Sequence, residues 1–223
     1  MEAKNTLELN APKINESTII QRILGGEKEL FEILVRRNNQ KLYRVIRSYL
    51  MDEVEIEDVM QNSYINAYTK LYQFKLESSF STWLIRIGIN ETLKRLKEKG
   101  KVLPINEQAD NIKKNMLLTM TEDHRHDPDS EMIRKEVQRV VENAIDQLPE
   151  KYRAVFVMKE VEDMSINEIA FALDLTPANV KVRQHRAKEM LKEKLAELSN
   201  EKNLFQFGFS RCDRITRNVM DSI

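Results

Sequence analysis

Between residues 165 and 191 the apolar positions shift phase once, and the shift marks two helices and a turn. Ile166, Ile169, Ala170 and Leu173 recur at i, i+3, i+4 and i+7, the spacing of one buried helical face, with Ser165 placed to cap its start. The pattern breaks at Asp174-Leu175. Thr176 then offers cap chemistry, and Pro177 takes the first position of a second helix, where a missing N–H costs nothing. Turning by about 100° per residue from Val180, the residues Ala187, Leu191, Leu195 and Leu198 fall within about 60° of one line. Lys181, Val182, His185 and Arg186 project from the opposite side, all in the first half of the helix. A helix-turn-helix that reads duplex DNA is divided in this way: the stripe anchors it, and the outer face near its N-terminus enters the major groove. A helical hairpin that serves only as scaffold carries the same pattern, so the rest of the chain has to decide.

Helical patterning begins near Ser17, breaks at Gly25-Gly26, and resumes through Leu30, Phe31, Leu34 and Val35. Leu42, Val45, Ile46 and Leu50 continue it. Residues 55–71 predict a helix with Ile56, Met60, Tyr64, Ala67 and Leu71 on one face. Residues 73–81 have loop chemistry; Ser81 is a candidate cap for a helix over 82–99, which Gly100 ends. Residues 101–129 read as a flexible linker, polar and bounded by Pro104 and Pro128. From Ser130, Ile133, Val137, Val140, Val141, Ala144 and Leu148 restore a helical period. Leu148-Pro149 is a boundary, because a residue before proline disfavours the helical region. A further helix over 150–161 leads into the helix-turn-helix. In the tail, Phe205, Phe207 and Phe209 precede a last helical face of Ile215, Val219 and Ile223.

Composition narrows the class. With five Gly and five Pro in 223 residues and no long Val/Ile/Thr alternation, the chain is expected to be all-α. A single cysteine, Cys212, excludes an internal disulfide and a Cys-based zinc site. His124, His126 and Asp127 lie close together but lack a further ligand cluster, so no metal or other cofactor is expected. No catalytic constellation and no glycine-rich phosphate loop is visible, which argues against an enzyme. The N-terminus lacks a basic-then-apolar leader and no apolar run reaches the length of a membrane span, so a cytoplasmic protein without membrane insertion is expected. Charge is balanced overall at 36 Lys+Arg against 36 Asp+Glu, yet it is segregated. Residues 52–58 hold five acids and no base, 86–101 hold six bases against two Glu, and 176–192 hold five bases against one Glu. Opposite charge blocks predict two kinds of partner surface.

Two separated blocks carry a family resemblance. The first contains DVMQNSYINAYTKLYQF and FSTWLIRIGIN; the second contains LPEKYRAVFVMKEVEDMSINEIA and NVKVRQHRAKEML. In this order and with a linker between them, they resemble the two domains of an extracytoplasmic-function sigma factor, the small type within the sigma-70 family. The resemblance implies a promoter-specificity subunit of bacterial RNA polymerase, which lends DNA recognition and strand opening to the core enzyme. It also implies two small helical domains: region 2 at 17–100, after a loose N-terminus at 1–16, and region 4 at 130–198, followed by a C-terminal extension at 199–223.

The resemblance gives the residues expected roles. On the 55–71 helix, Asp58, Gln61, Asn62 and Ile65 lie opposite the apolar stripe and would bind the polymerase core; acids at a helix start also have a local electrostatic reason. The loop after that helix and the start of the next would catch a base flipped from the −10 element, which needs stacking faces and hydrogen-bonding partners. Phe74 and Asn90 match pocket positions, with Lys75, Glu77 and Ser79 in the loop; Phe80 and Trp83 are read as packing. Arg86 and Lys94, with Arg95 and Lys97 on the same helix, would meet backbone phosphate. In the second block, Lys159 matches a DNA-contacting position, and Lys181, Val182, His185 and Arg186 match the face that reads the −35 element. Arg183, nearer the apolar stripe, is assigned equally to an intramolecular salt bridge or a phosphate contact, and Lys188 to backbone or solvent. The partners implied are polymerase core, promoter DNA and an anti-sigma factor, with a monomer outside complexes. Two features depart from the pattern: the chain continues past Asn200, and Asp174 stands at a turn position where glycine is common. A stand-alone dimeric helix-turn-helix regulator accounts for the second block alone, and a helical adaptor for the first.

Overall fold

The structure, a computed structural model, describes residues 15–100, 128–199 and 220. Among them are eight α-helices and no strand. The stretch with His124, His126 and Asp127, and the tail with Cys212, lie outside the described residues.

Local chemistry sets the helix ends. Asn15 caps α1 (Glu16–Leu24) through the Ser17 N–H at 3.3 Å, and Gly26, at φ +109°, turns the chain where a side chain would be strained. Asp52 accepts from Glu55 N–H to open α3 (Glu53–Thr69). Between them runs α2 (Phe31–Arg47), unbroken, with Leu34, Leu42, Val45 and Ile46 buried. Asn38 sits in that buried row, and its amide donates to the Leu34 carbonyl at 2.8 Å, so no polar group is stranded. The next helix, α4 (Phe80–Glu98), is capped by Ser79 rather than Ser81: the Ser79 hydroxyl accepts from Thr82 N–H at 3.1 Å. Two serines flank Phe80, and full burial of Phe80 inside the helix decides between them. At Gly88, α2 and α4 approach so closely that an added Cβ would lie 2.7 Å from Leu42 Cδ1.

The second group starts with α5 (Pro128–Asp146), two residues earlier than expected, with proline at its first position as that position favours. After Leu148-Pro149, α6 (Glu150–Phe156) runs into a π-type wide turn over Val157–Val161. Ser165 and Glu168 form a reciprocal capping box on α7 (Ile166–Leu173). Asp174 takes the left-handed conformation at φ 55°, and Thr176 Oγ1 accepts from Asn179 N–H at the start of α8 (Pro177–Ser199).

The two groups of helices do not stand apart. One continuous apolar cluster runs from Leu34, Leu84, Ile85 and Ile89 to Val155, Met158, Ile169, Ala170, Ala172 and Val180, with α7 packed along α4. A smaller cluster of Leu148, Tyr152 and Ala187 fixes α8 to α6. Polar contacts seal the junction. Arg153, 4% exposed, donates from Nε to the Ser48 carbonyl and from Nη1 to the Asp146 carbonyl, both at 2.8 Å. Arg47 grips the Asp146 carboxylate with two bonds at 3.0 and 2.8 Å, and Arg44 meets Glu162 at 2.8 Å. Burial depresses the basicity of Arg153, and the nearby Asp146 and Glu150 carboxylates oppose that shift.

Candidate nucleic-acid and polymerase interfaces

The outer face of α3 is unlike an ordinary solvated face. Asp58, Gln61, Asn62 and Ile65 are all exposed, Ile65 to 63%. Val54, Tyr68 and Tyr72 join them at 71, 43 and 72%, and the sequence reading omitted these three. The signal was partly present, since Ile65 and Tyr68 follow the i, i+3 spacing of one face, while Tyr72 lies past the helix end in a 3-10 turn over Leu71–Gln73. Asp58 is not wholly free of partners: Arg95 on α4 reaches it at 3.8 Å, across a small depression of about 70 Å³ that Asn62, Glu91 and Lys94 help to line. Deeper in, Lys99 pairs with Glu55 and clips the end of α4 to the start of α3.

The loop between α3 and α4 is held from below by aromatic packing. Phe80 is fully buried, with Phe74 edge-on at 6.0 Å and Trp83 tilted at 5.9 Å. Phe74 is half-buried, 5.2 Å from the Trp83 ring, and one side of both rings borders a cleft of about 170 Å³. Gln73, Lys75, Glu77 and Ser78 complete its rim, with Phe171 of α7 closing the far side. Lys75 and Glu77 are exposed, whereas the Ser79 hydroxyl is used as the helix cap. Along α4, Arg86, Asn90 and Lys94 recur every four residues and so share a face; Asn90 and Lys94 are exposed, Arg86 half-buried. The Arg86 guanidinium stands 4.6 Å above the Phe171 ring and 3.6 Å from the Asp174 carboxylate. Trp83 packs against Phe74 and Phe80 and also borders the cleft.

On α8 the angular reading separates into two outcomes. Lys181, Val182 and His185 come together on an exposed surface, Val182 at 51% and His185 with Nε2 3.4 Å from Glu189. Arg186 is exposed too, but its Nη1 donates to the Tyr152 hydroxyl at 3.2 Å. Lys159 is half-buried, its ammonium donating to the Met164 carbonyl at 3.1 Å. The Arg186 contact spans 34 positions and could not be read from spacing, whereas the Lys159 contact spans only five. Glu160 collects Lys188 at 2.9 Å and Gln184 at 2.7 Å; the Lys188 hydrogen bond holds its carboxyl below the usual range. Arg183 is half-buried, near the Tyr49 hydroxyl.

Comparison with known proteins places these surfaces in context. The sequence matches the family profile of Sigma-70 region 2 over residues 34–102 and that of Sigma-70, region 4 over 138–191. It is 31% identical over 192 residues to the ECF RNA polymerase sigma-E factor of Haemophilus influenzae, spanning 84% of this chain and 99% of that one. The chain belongs to the extracytoplasmic-function sigma factors of the sigma-70 family. Its fold is similar to that of CnrH, solved in complex with the cytosolic domain of CnrY (TM-score 0.57, 24% identity, 81% of this chain and 96% of that chain). It is also similar to sigma factor RpoE, solved in complex with the anti-sigma factor NepR from Bartonella quintana (TM-score 0.54, 17% identity, 74% and 96%). The region 2 match of this sigma factor holds the α3 face, the aromatic loop and α4; the region 4 match holds the helix-turn-helix. Among the described residues, no helix is long and apolar enough to cross a membrane, and no group of His, Cys, Asp or Glu is arranged to hold a metal ion.

Proposed function

We propose that this sigma factor directs a bacterial RNA polymerase to its promoters by dividing three tasks among three surfaces. The α3 face, with Asp58, Gln61, Asn62 and Ile65, binds the polymerase core; Tyr68 and Tyr72 widen its apolar centre, the part of an interface from which most affinity comes. The cleft beside Phe74, with Lys75, Glu77, Asn90 and the α4 cations Arg86 and Lys94, receives the unpaired non-template strand of the −10 element. Stacking on Phe74 returns part of the few kcal/mol that unstacking a base costs. The α8 face reads the −35 duplex: Val182 meets a thymine methyl, while Lys181 and His185 donate to base edges or phosphate. Arg186 must leave Tyr152 before it can reach guanine. Lys159 and Ser79 support the reading surfaces, since their polar atoms are bonded within the chain.

The observation that carries the reading is the gathering of Lys181, Val182 and His185 on open surface of the same chain whose α3 presents Ile65. The domains are proposed at 17–100 and 130–198. The protein works in the cytoplasm, performs no chemistry of its own, is a monomer outside complexes, and is restrained by an anti-sigma factor, as the complexed relative supports. Reconstitution with core polymerase and mapping of the resulting transcription starts tests this. The expected result is a shared promoter motif with two elements. Tight binding to palindromic duplex without polymerase would replace the reading by a dimeric regulator.

A further inference from the structure

The reading face of α8 is bordered by an acid. Glu160 lies in the wide turn over Val157–Val161, and its Oε1 takes a hydrogen bond from Gln184 at 2.7 Å and the Lys188 ammonium at 2.9 Å. Both partners are on α8, four residues apart, so they share one edge of that helix. Lys188 stands seven residues after Lys181, so these two cations lie on nearly the same side of α8, about 10 Å apart along its axis. The major groove is about 12 Å wide. With Lys181 over base edges, Lys188 comes to the line of phosphates at the border of the groove. There an acid of its own chain holds it instead. Lys159, beside Glu160, is likewise engaged, its ammonium donating to the Met164 carbonyl. The Lys188 hydrogen bond keeps the Glu160 carboxyl below the usual range, so it is ionised at neutral pH.

We propose, resting on the assignment of the α8 face to the −35 duplex, that Glu160 sets the sequence-independent part of the affinity by withholding Lys188 from the DNA backbone. An exposed ion pair is weak by itself. What keeps Lys188 in place is the alternative: its departure would leave a bare carboxylate beside the phosphates. Glu160 cannot easily swing away, because its turn is closed by Glu162 N–H on the Val157 carbonyl and Met164 N–H on the Met158 carbonyl, both at 3.0 Å. A phosphate contact strengthens binding to every sequence alike. One more such contact lengthens the stay on non-promoter DNA and adds nothing to the choice between sites. Glu160 removes that contact and leaves the decision to Lys181, Val182 and His185.

The test uses holoenzyme reconstituted from core polymerase and the full chain, with two fluorescent duplexes. One carries the −35 element of a promoter at which that holoenzyme starts; the other is the same duplex with the element scrambled. Anisotropy is read over a salt series. Glu160→Gln keeps an oxygen for Gln184 and loses the charge that holds Lys188. It is expected to bind both duplexes about threefold tighter at low salt, with a salt slope steeper by about one phosphate contact and an unchanged preference between the duplexes. Adding Lys188→Gln is expected to return affinity and slope to the wild-type values. Glu197→Gln, which removes the 2.9 Å carboxylate partner of Lys194 farther along α8, makes the same change in net charge and is expected to leave the slope alone. An unchanged slope in Glu160→Gln, a gain that survives Lys188→Gln, or an equal gain from Glu197→Gln overturns the withholding role. So does a fall in −35 preference, which marks Glu160 as a support of the helix-turn-helix alone. In all these cases wild-type holoenzyme still prefers the −35 duplex; if it shows no such preference, the assignment of α8 falls and this proposal with it.

Discussion

At the scale of single residues, the most readable positions are those whose partners are close in sequence. Ser165 was recognisable as a cap, and Ser165→Ala is expected to cost about 1 kcal/mol in a denaturant melt, the usual loss for a helix cap. Its partner Glu168 shows how much more geometry adds. The backbone N–H of Ser165 is the main reason its carboxyl lies below the ordinary 4.5, helped by the Ser165 and Thr82 hydroxyls. A carboxylate depressed in the folded state contributes stability above its unfolded value, and that contribution is lost as pH falls through the lower folded value. Wild type is therefore expected to lose more stability than Glu168→Gln between about pH 5 and pH 3; parallel melting curves would contradict this. Gly88→Ala is expected to destabilise by about 1 kcal/mol or more, because Leu42 must give way inside a packed core. Other contacts were not legible in the sequence, for a physical reason. Arg186 meets Tyr152 across 34 positions, and such a contact leaves no trace in local spacing.

At the scale of elements, amphipathic period was enough to locate the helices and to turn α3 and α8 the right way round. Val182 was placed outward by angle alone and is half exposed. The caps of α4 were less readable, because Ser79 and Ser81 have the same chemistry and only the burial of Phe80 separates them. Each outward face yields its own expectation. Lys181→Ala and His185→Ala are each expected to weaken −35 duplex binding by the holoenzyme by about 1–3 kcal/mol, with a shallower salt dependence for whichever residue meets phosphate. Fluorescence anisotropy over a salt series reads both quantities. Asp58→Lys, which also loses the Arg95 contact, is expected to weaken binding to core while the surviving holoenzyme keeps its promoter preference. A promoter shift from Asp58→Lys, or loss of core binding from Lys181→Ala, would contradict the division of labour.

At the scale of the molecule, the sequence supports two helical groups, and the structure packs them on one another. A single apolar stripe per helix describes α8 well and α4 poorly. In α4 the buried positions Phe80, Thr82, Leu84, Ile85, Gly88, Ile89, Thr92 and Leu96 spread over a wide arc, more than one neighbour can cover. Beyond α2 and α3 the third neighbour is α7, whose Ala170 and Ala172 allow close approach. Width of arc is thus the signal for the shared core, and reading only for a stripe passes over it. Charge segregation was similarly partial evidence: it marked α4 and α8 as basic, but which cations are spoken for depends on Asp58, Asp174 and Glu160 in the folded chain.

The account stands on one chain gripping polymerase and promoter together. The most direct measurement is transcription in vitro with bacterial core polymerase, this chain and genomic DNA, with every start site sequenced. The account predicts starts that appear only when the chain is added, preceded by a common pair of elements, and whose −35 preference changes with His185→Ala. Starts that do not depend on the chain, or a chain that never joins the core enzyme, would contradict it.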